Sequence, residues 1–310
     1  MSRPAPPPEA AWQALAARWQ PSADVLAETL DGGQSFRWYR TGTAGALSGW
    51  RGQWADQRVD LRLAPGGVQW RPAGARTADA GAALRRYFAL DVDWEARLDA
   101  LPWRSDRHLA RCLAAFPGLR ILRQPFGETL LGFLCSATKQ IVQIKQMCAL
   151  LAARHGRPAV PGPAADAGHA SLAYRLPTWA ELADVPEAEL RACLLGFRAR
   201  YIHATARHLA ARPGWLEETE ALPYAAAKAR LLELPGVGEK VADCVLLFGA
   251  GRLEAFPVDT WILKALARRY GLAGWKPAQV AHFGRTHFGS QAGLAQQFLF
   301  AWERRHGGED

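Results

Sequence analysis

Residues 231–266 read LLELPGVGEKVADCVLLFGAGRLEAFPVDTWILKAL. A helical run ends at Leu234, Pro235-Gly236-Val237-Gly238 makes a tight turn, and a new helix opens at Glu239. Glycine takes positive φ at no steric cost and lets another chain approach the backbone closely. The free N–H groups of such a turn, together with the positive end of the next helix, suit an anion, and a DNA phosphate is the obvious one. A PGxG turn by itself is more often a plain connection between helices. Its neighbours decide the matter.

Lys240 falls in the first turn of the new helix, where the dipole disfavours positive charge. That field, with partial burial, should lower the pKa of Lys240 and supply a neutral amine nucleophile. Asp259 follows Phe256-Pro257-Val258 and precedes a further helix at Thr260, the place of an N-cap. A capping carboxylate held near an amine can also stabilise positive charge developing on a sugar. The two roles are compatible.

With Lys240 and Asp259 nineteen residues apart, the segment resembles the helix-hairpin-helix and Gly/Pro/Asp signature of DNA glycosylases, specifically the 8-oxoguanine DNA glycosylase family. GQSFRW (33–38), YFALDV (87–92), LRILRQ (119–124), LGFRARY (195–201) and AQQFLF (295–300) resemble further stretches of that family, in its order. The resemblance implies an enzyme in which Lys240 attacks the anomeric carbon of a flipped nucleotide, displaces an oxidised purine and permits β-elimination through a Schiff base. Asp259 would stabilise the oxocarbenium-like transition state. It further implies that the Gly33 carbonyl accepts the N7 hydrogen carried by the lesion but not by guanine. Cys244 and Phe300 would pack on the two faces of the base, and Gln296 would read its pairing edge. Backbone contacts to DNA fall to Gly236, Val237 and Gly238.

Departures from the family accompany the likeness. Thr138 occupies the position that fills the gap left by the flipped base. Gln143 stands where many members place an arginine that reads the orphaned cytosine, while Arg198 keeps the second such arginine. Trp261 replaces a histidine near the phosphates. Weak discrimination of the opposite base follows. Arg200, His203 and Arg207, at i, i+3 and i+7, form a basic stripe on one helical face, which also fits an ordinary solvated face.

Outward from this core, the chain changes texture. Residues 1–20 begin with a Pro/Ala-rich stretch and read as a mobile tail. Val25 to Pro72 has the texture of short strands, at Gln34–Arg40, Leu47–Trp54, Arg58–Leu63 and, after a Pro65-Gly66-Gly67 turn, Val68–Trp70. From Asp79 onward the periodicity is helical, broken at Ser136–Gln140 and by a Pro/Gly/Ala-rich insertion over 156–170. The expected fold class is α+β: an N-terminal antiparallel β-sheet domain with linking helices over 21–125, then an all-helical helix-hairpin-helix domain over 126–310.

The 310 residues carry 38 Lys and Arg against 29 Asp and Glu, a net charge of +9 that suits a polyanionic partner. The thirteen tryptophans suit cores first and base stacking second. Five widely spaced cysteines without a CxxC pair argue for a reducing compartment and against disulfides or zinc. No cysteine follows Cys244, which excludes a C-terminal four-cysteine iron–sulfur loop and with it an endonuclease III-like enzyme. Lys240 argues against an alkylated-purine glycosylase, and a non-catalytic helix-hairpin-helix DNA-binding protein is the remaining alternative. No cofactor is expected, with room for a monovalent or calcium ion at the hairpin. The expected partner is duplex DNA containing an oxidised purine, met by a monomer without a membrane, in a bacterial cytoplasm or nucleoid rather than a nucleus.

Overall fold

The computed structural model describes residues 10–16, 19–42, 49–74, 79–159 and 172–307. The chain begins with β1 (Gln13–Ala14), α1 (Ala23–Asp31), β2 (Trp38–Thr41), β3 (Gly49–Trp54), β4 (Gln57–Ala64) and β5 (Gly67–Pro72). The strands form one antiparallel sheet in the order β1-β5-β4-β3-β2. Leu61 pairs with Trp50 on one side and Trp70 on the other, so the large rings gather around one strand. Trp38, Trp54, Tyr87 and Phe88 close the same core.

The helices follow: α2 (Ala80–Tyr87), α3 (Trp94–Asp99), α4 (Arg107–Ala115), α5 (Phe126–Leu134), α6 (Ile141–His155), α7 (Trp179–Ala183), α8 (Glu187–Leu190), α9 (Arg198–Ala210), α10 (Trp215–Ala221), α11 (Tyr224–Leu232), α12 (Glu239–Phe248), α13 (Thr260–Arg269), α14 (Pro277–Phe288) and α15 (Ala292–His306). Their apolar faces share a second core in which Leu130, Leu134, Ile202, Leu231, Val245, Leu266 and Leu299 are buried. Among the described residues no helix is long and apolar enough to cross a membrane.

Three sequence expectations are corrected here. The region of strand-like texture expected from Val25 opens with a helix: Ser22 Oγ caps α1 by accepting from Val25 N at 3.2 Å, and Val25, Leu26 and Leu30 bury its inner face. The strand expected over Gln34–Arg40 starts only at Trp38. Ahead of it, the buried Gln34 side chain takes the place of a strand partner: its Nε2 donates to Arg120 O at 3.0 Å and its Oε1 accepts from Leu122 N at 2.9 Å. Gln124 returns a bond to Gln34 O at 2.5 Å, so the 33–38 and 119–124 stretches are laced together. Finally, the tail expected over 1–20 is ordered from its middle, since Gln13–Ala14 pairs with β5 while Leu15 and Trp19 are buried. Residues 1–9, the start of the strand expected from Leu47 and most of the 156–170 insertion lie outside the described residues.

Charged side chains lock the two cores at fixed points. The fully buried Glu28 on α1 accepts from Arg304 at 2.6 Å and Arg305 at 3.3 Å on α15. Lys145 of α6 reaches both Asp31 and the Trp38 carbonyl at 2.7 Å. These ties frame a cavity between the 33–38 stretch, the α5–α6 turn and the starts of α12 and α13.

Candidate active site

At the hairpin, Gly236 has φ +80, and a Cβ there would lie 2.6 Å from the Tyr201 ring. Only glycine lets α9 pack so closely beneath the turn. The Val237 amide is spent inside the turn, donating to Leu234 O at 3.1 Å, so it is not free for a phosphate as the sequence reading had it. Gly236 and Gly238 N–H make no hydrogen bond among the described residues. Gly238 caps α12 without a side chain, and the first helical bond runs from Ala242 N to Gly238 O at 2.9 Å. The first-turn amides of α12 therefore remain open to an outside acceptor.

Lys240, half-buried in that turn, donates through Nζ to Ser136 Oγ at 3.0 Å and sits 5.1 Å above the Phe133 ring. Asp259 caps α13, its Oδ1 accepting from Trp261 N at 3.0 Å and Ile262 N at 2.9 Å. Burial pushes the Asp259 carboxyl above the ordinary carboxylate range, against the opposing pull of those amides and of the Lys240 charge. Both side chains line one cavity of about 820 Å³. Gly33 and Phe300 form another part of its wall, and Thr138, Gln140, Trp261 and Lys264 its mouth. Lys139, Lys240, Lys264 and Arg304 line it against the single carboxylate of Asp259, which gives the cavity a positive field.

The residues that the resemblance assigns to the base separate into two pairs. Gly33, with φ +100, turns its backbone between Ile141 and Phe300, where an added Cβ would lie 3.1 Å from Ile141 Cδ1 and 3.7 Å from Phe300 Cε1. Both Gly33 and Phe300 line the cavity. Cys244 and Gln296 are buried and do not line it. Burial pushes the Cys244 thiol up to about 12. Gln296 Oε1 is buried with no hydrogen-bond partner among the described residues.

Among the residues assigned to DNA, Thr138 and Trp261 are exposed at the cavity mouth. Thr138 holds φ +55, a strained conformation for a β-branched residue. Arg198 departs from expectation. It is 3% exposed and turns inward, donating to Leu195 O at 3.2 Å, to Thr138 Oγ1 at 2.9 Å and to Ala137 O. Instead of facing an orphaned base, it staples two loops. Gln143 Oε1 accepts from Gln140 N at 3.1 Å and so closes the start of α6. Arg200 is exposed away from the cavity and rests on Tyr201, its Nη2 2.6 Å from the hydroxyl. The basic stripe is broken at its centre, where His203 Nδ1 is bound to Val185 O at 3.1 Å.

Sequence reasoning gave no role to Ser136, Phe133, Lys139 or Lys264. The polar run Ser136–Gln140 inside an apolar helical stretch was the signal for the first and third. Phe133 carried none, being one apolar residue among many on α5. Lys264, one turn after Thr260, could have been placed by helical spacing from Asp259.

Comparison with known proteins gives a consistent picture. The 8-oxoguanine DNA glycosylase N-terminal domain family matches residues 20–130. The HhH-GPD superfamily of base excision DNA repair proteins matches residues 131–285. The probable N-glycosylase/DNA lyase of Methanothermobacter thermautotrophicus is 40% identical over 119 residues, which are 38% of this chain and 38% of that protein. The N-glycosylase/DNA lyase OGG1 of Arabidopsis thaliana is 31% identical over 295 residues, 90% of this chain and 77% of that one. The match thus spans little more than a third of the first relative and about three quarters of the second. The crystal structure of Clostridium acetobutylicum 8-oxoguanine glycosylase/lyase in complex with dsDNA containing cytosine opposite to 8-oxoG superposes with TM-score 0.81 at 29% identity, covering 91% of this chain and 92% of that one. With both halves matched by family and one relative similar along nearly the whole length, this chain belongs to the 8-oxoguanine DNA glycosylase family of HhH-GPD base excision repair proteins.

Proposed function

We propose that the protein is a bifunctional DNA glycosylase and AP lyase of base excision repair, which excises 8-oxoguanine or a related oxidised purine from duplex DNA. One observation carries the reading: the Lys240 amine and the Asp259 carboxylate line the same cavity, whose wall includes the Gly33 backbone. The target nucleotide leaves the duplex to enter, because neither group can reach the sugar of a stacked base. The neutral Lys240 nitrogen gives its lone pair to the anomeric carbon. The glycosidic bond breaks with its electron pair on the departing base, which takes up a proton. Asp259, fixed by two amides, stabilises the positive charge that develops on the sugar. Loss of a proton from nitrogen and ring opening leave a Schiff base. Removal of a C2′ proton then expels the 3′ phosphate and nicks the strand.

Phe300 supplies an aromatic face for the base. Gln296, with its unpartnered buried oxygen, is assigned to the pairing edge, and Cys244 supports the opposite face from beneath the wall. Gly236, Gly238 and the first-turn amides of α12 take a phosphate, and the cationic mouth draws in the strand. The chemistry needs no cofactor. Among the described residues no three His, Cys, Asp or Glu side chains gather as a metal site. The enzyme works on DNA inside the cell, as a monomer. We place it in a bacterial nucleoid rather than a nucleus, a reading to which the likeness to the Clostridium structure lends support, while five free cysteines fit a reducing compartment of either kind.

Borohydride trapping tests the proposal. The wild type should cross-link to a duplex carrying 8-oxoguanine, and Lys240→Gln should lose both the cross-link and excision. A protein that binds the duplex tightly but neither cross-links nor releases the base would be a non-catalytic DNA-binding module, and one that releases the base without cross-linking would be a glycosylase without the lysine nucleophile.

A further inference from the structure

We propose that Ser136 is a positioning residue, holding the Lys240 amine by one N–H so that its lone pair stays free for the sugar. This rests on Lys240 being the nucleophile. Ser136 lies just past the end of α5 and is 7% exposed. Its hydroxyl donates to Phe133 O at 2.7 Å and accepts from Lys240 Nζ at 3.0 Å. A hydroxyl carries one proton. With that proton committed to the Phe133 carbonyl, only oxygen lone pairs face the lysine, and the direction of the contact is set.

Direction matters chemically. If serine donated its proton to a neutral amine, it would occupy the lone pair needed for attack. With serine as acceptor the amine is anchored through hydrogen, which it retains in both protonation states, and the nitrogen lone pair points elsewhere. The Phe133 ring, 5.1 Å from Nζ, supports the same position. That ring is itself fixed between Phe248, stacked at 5.6 Å, and Phe36, edge-on at 5.3 Å. A four-methylene side chain with many rotamers is thereby confined.

The charged and titratable groups around Nζ are Asp259 on α13, the thiol of Cys244 on α12 itself, which burial keeps neutral, and the cavity-lining Lys139, Lys264 and Arg304. Ser136 does not titrate among them. Its oxygen nonetheless accepts more strongly from ammonium than from amine. Removing it should therefore shift the acid limb of the rate profile to lower pH even as the plateau falls.

The experiment measures single-turnover excision and borohydride trapping on an 8-oxoguanine duplex across pH, for wild type, Ser136→Ala, Ser136→Thr and Lys240→Gln. Melting temperature and affinity for a duplex with a non-cleavable abasic analogue are measured beside them. Ser136→Ala should lose roughly tenfold to a hundredfold in plateau rate, the cost of a misplaced reacting group, with its acid limb moved down and its duplex affinity intact. Ser136→Thr restores the hydroxyl and should recover most of the rate. A Ser136→Ala enzyme with wild-type plateau and limb overturns the inference. So does a loss that only tracks melting temperature and that threonine fails to repair. A wild type that does not cross-link overturns the reading of Lys240 itself, and the inference falls with it.

Discussion

Two helices, α12 and α13, begin at the wall of the same cavity and treat their orphan amides in opposite ways. Gly238 offers α12 no side chain, so its first-turn N–H groups stay open. Asp259 closes α13 with its own carboxylate, spending Oδ1 on two amides. The same helix field thus draws an external anion at one start and immobilises an internal one at the other. The difference teaches why a lysine sits at the first and a carboxylate at the second. On the proposed mechanism, a positive side chain opposes the dipole where DNA phosphate would supply the compensating charge, and a rigid anion stands where the sugar would become cationic.

The largest expected effect comes from changing the charge of the closed start without opening it. Asparagine caps helices as well as aspartate. Asp259→Asn should therefore keep the fold while lowering excision by about 10²–10³-fold, the scale seen when a single electrostatic stabiliser is removed. Stability supplies a second signature. The Asp259 carboxyl is raised above its unfolded value by burial, so its contribution is most favourable below the unfolded pKa and is lost as pH rises through the folded one. Asp259→Asn should gain on wild type in denaturant melts at neutral pH, and the gap should vanish in acid. Asp259→Ala should lose about 1 kcal/mol of capping as well. Excision by Asp259→Asn within tenfold of wild type would break the comparison.

The open start depends on backbone geometry. Gly236→Ala forces a Cβ to within 2.6 Å of the Tyr201 ring at φ +80. It should cost about 1–3 kcal/mol and weaken DNA binding with it. At Gly238 an added Cβ meets nothing within 4 Å. Gly238→Ala should cost only about 0.5–1 kcal/mol, the usual penalty for alanine at an N-cap. Chemical melts and duplex titrations of the pair measure the contrast. Equal penalties would mean the hairpin is an ordinary turn.

These two starts were legible in the sequence because each is local. The glycines, Lys240 and Asp259 fall within two dozen residues, and spacing alone places them on a turn and two helix starts. What escaped reading depends on the tertiary fold. Ser136 meets Lys240 across 104 residues, and nothing in either local pattern announces it. Arg198 looks like a basic side chain available to DNA, yet the loops around it offer three acceptors and draw it inside. His203 likewise turns to the Val185 carbonyl. The helix at Ala23–Asp31 hid for a different reason. Nine residues with three large apolar side chains are too short for periodicity to outvote the strand-like texture that follows.

A third helix start sharpens the comparison at smaller scale. Between α5 and α6, Thr138 is held at φ +55 while Arg198 grips its hydroxyl. Asparagine tolerates the left-handed region and offers an acceptor in its place. Thr138→Asn should stabilise the DNA-free protein by about 1 kcal/mol, read by denaturant melts. Unchanged or lower stability would show that the strain lies elsewhere in the loop.

The smallest expected effect concerns the base opposite the lesion. The start of α6 is closed like that of α13, but by a neutral group: Gln143 bends back to the Gln140 amide, at 3.1 Å, in place of reaching outward. Arg198, the other residue placed to read that base, is buried under its three carbonyl and hydroxyl acceptors. A bidentate contact to a base edge is worth about 1–3 kcal/mol of discrimination, or about fivefold to more than a hundredfold. With neither group presented, single-turnover rates for 8-oxoguanine opposite cytosine, thymine, guanine and adenine should fall within about tenfold of one another. Gln143→Arg should widen that spread in favour of cytosine, since it exchanges a capping amide for a free guanidinium at the same helix start. A strong preference for cytosine in the wild type would instead mean that DNA pulls Arg198 out of its staple, and that the inward arrangement belongs to the DNA-free protein alone.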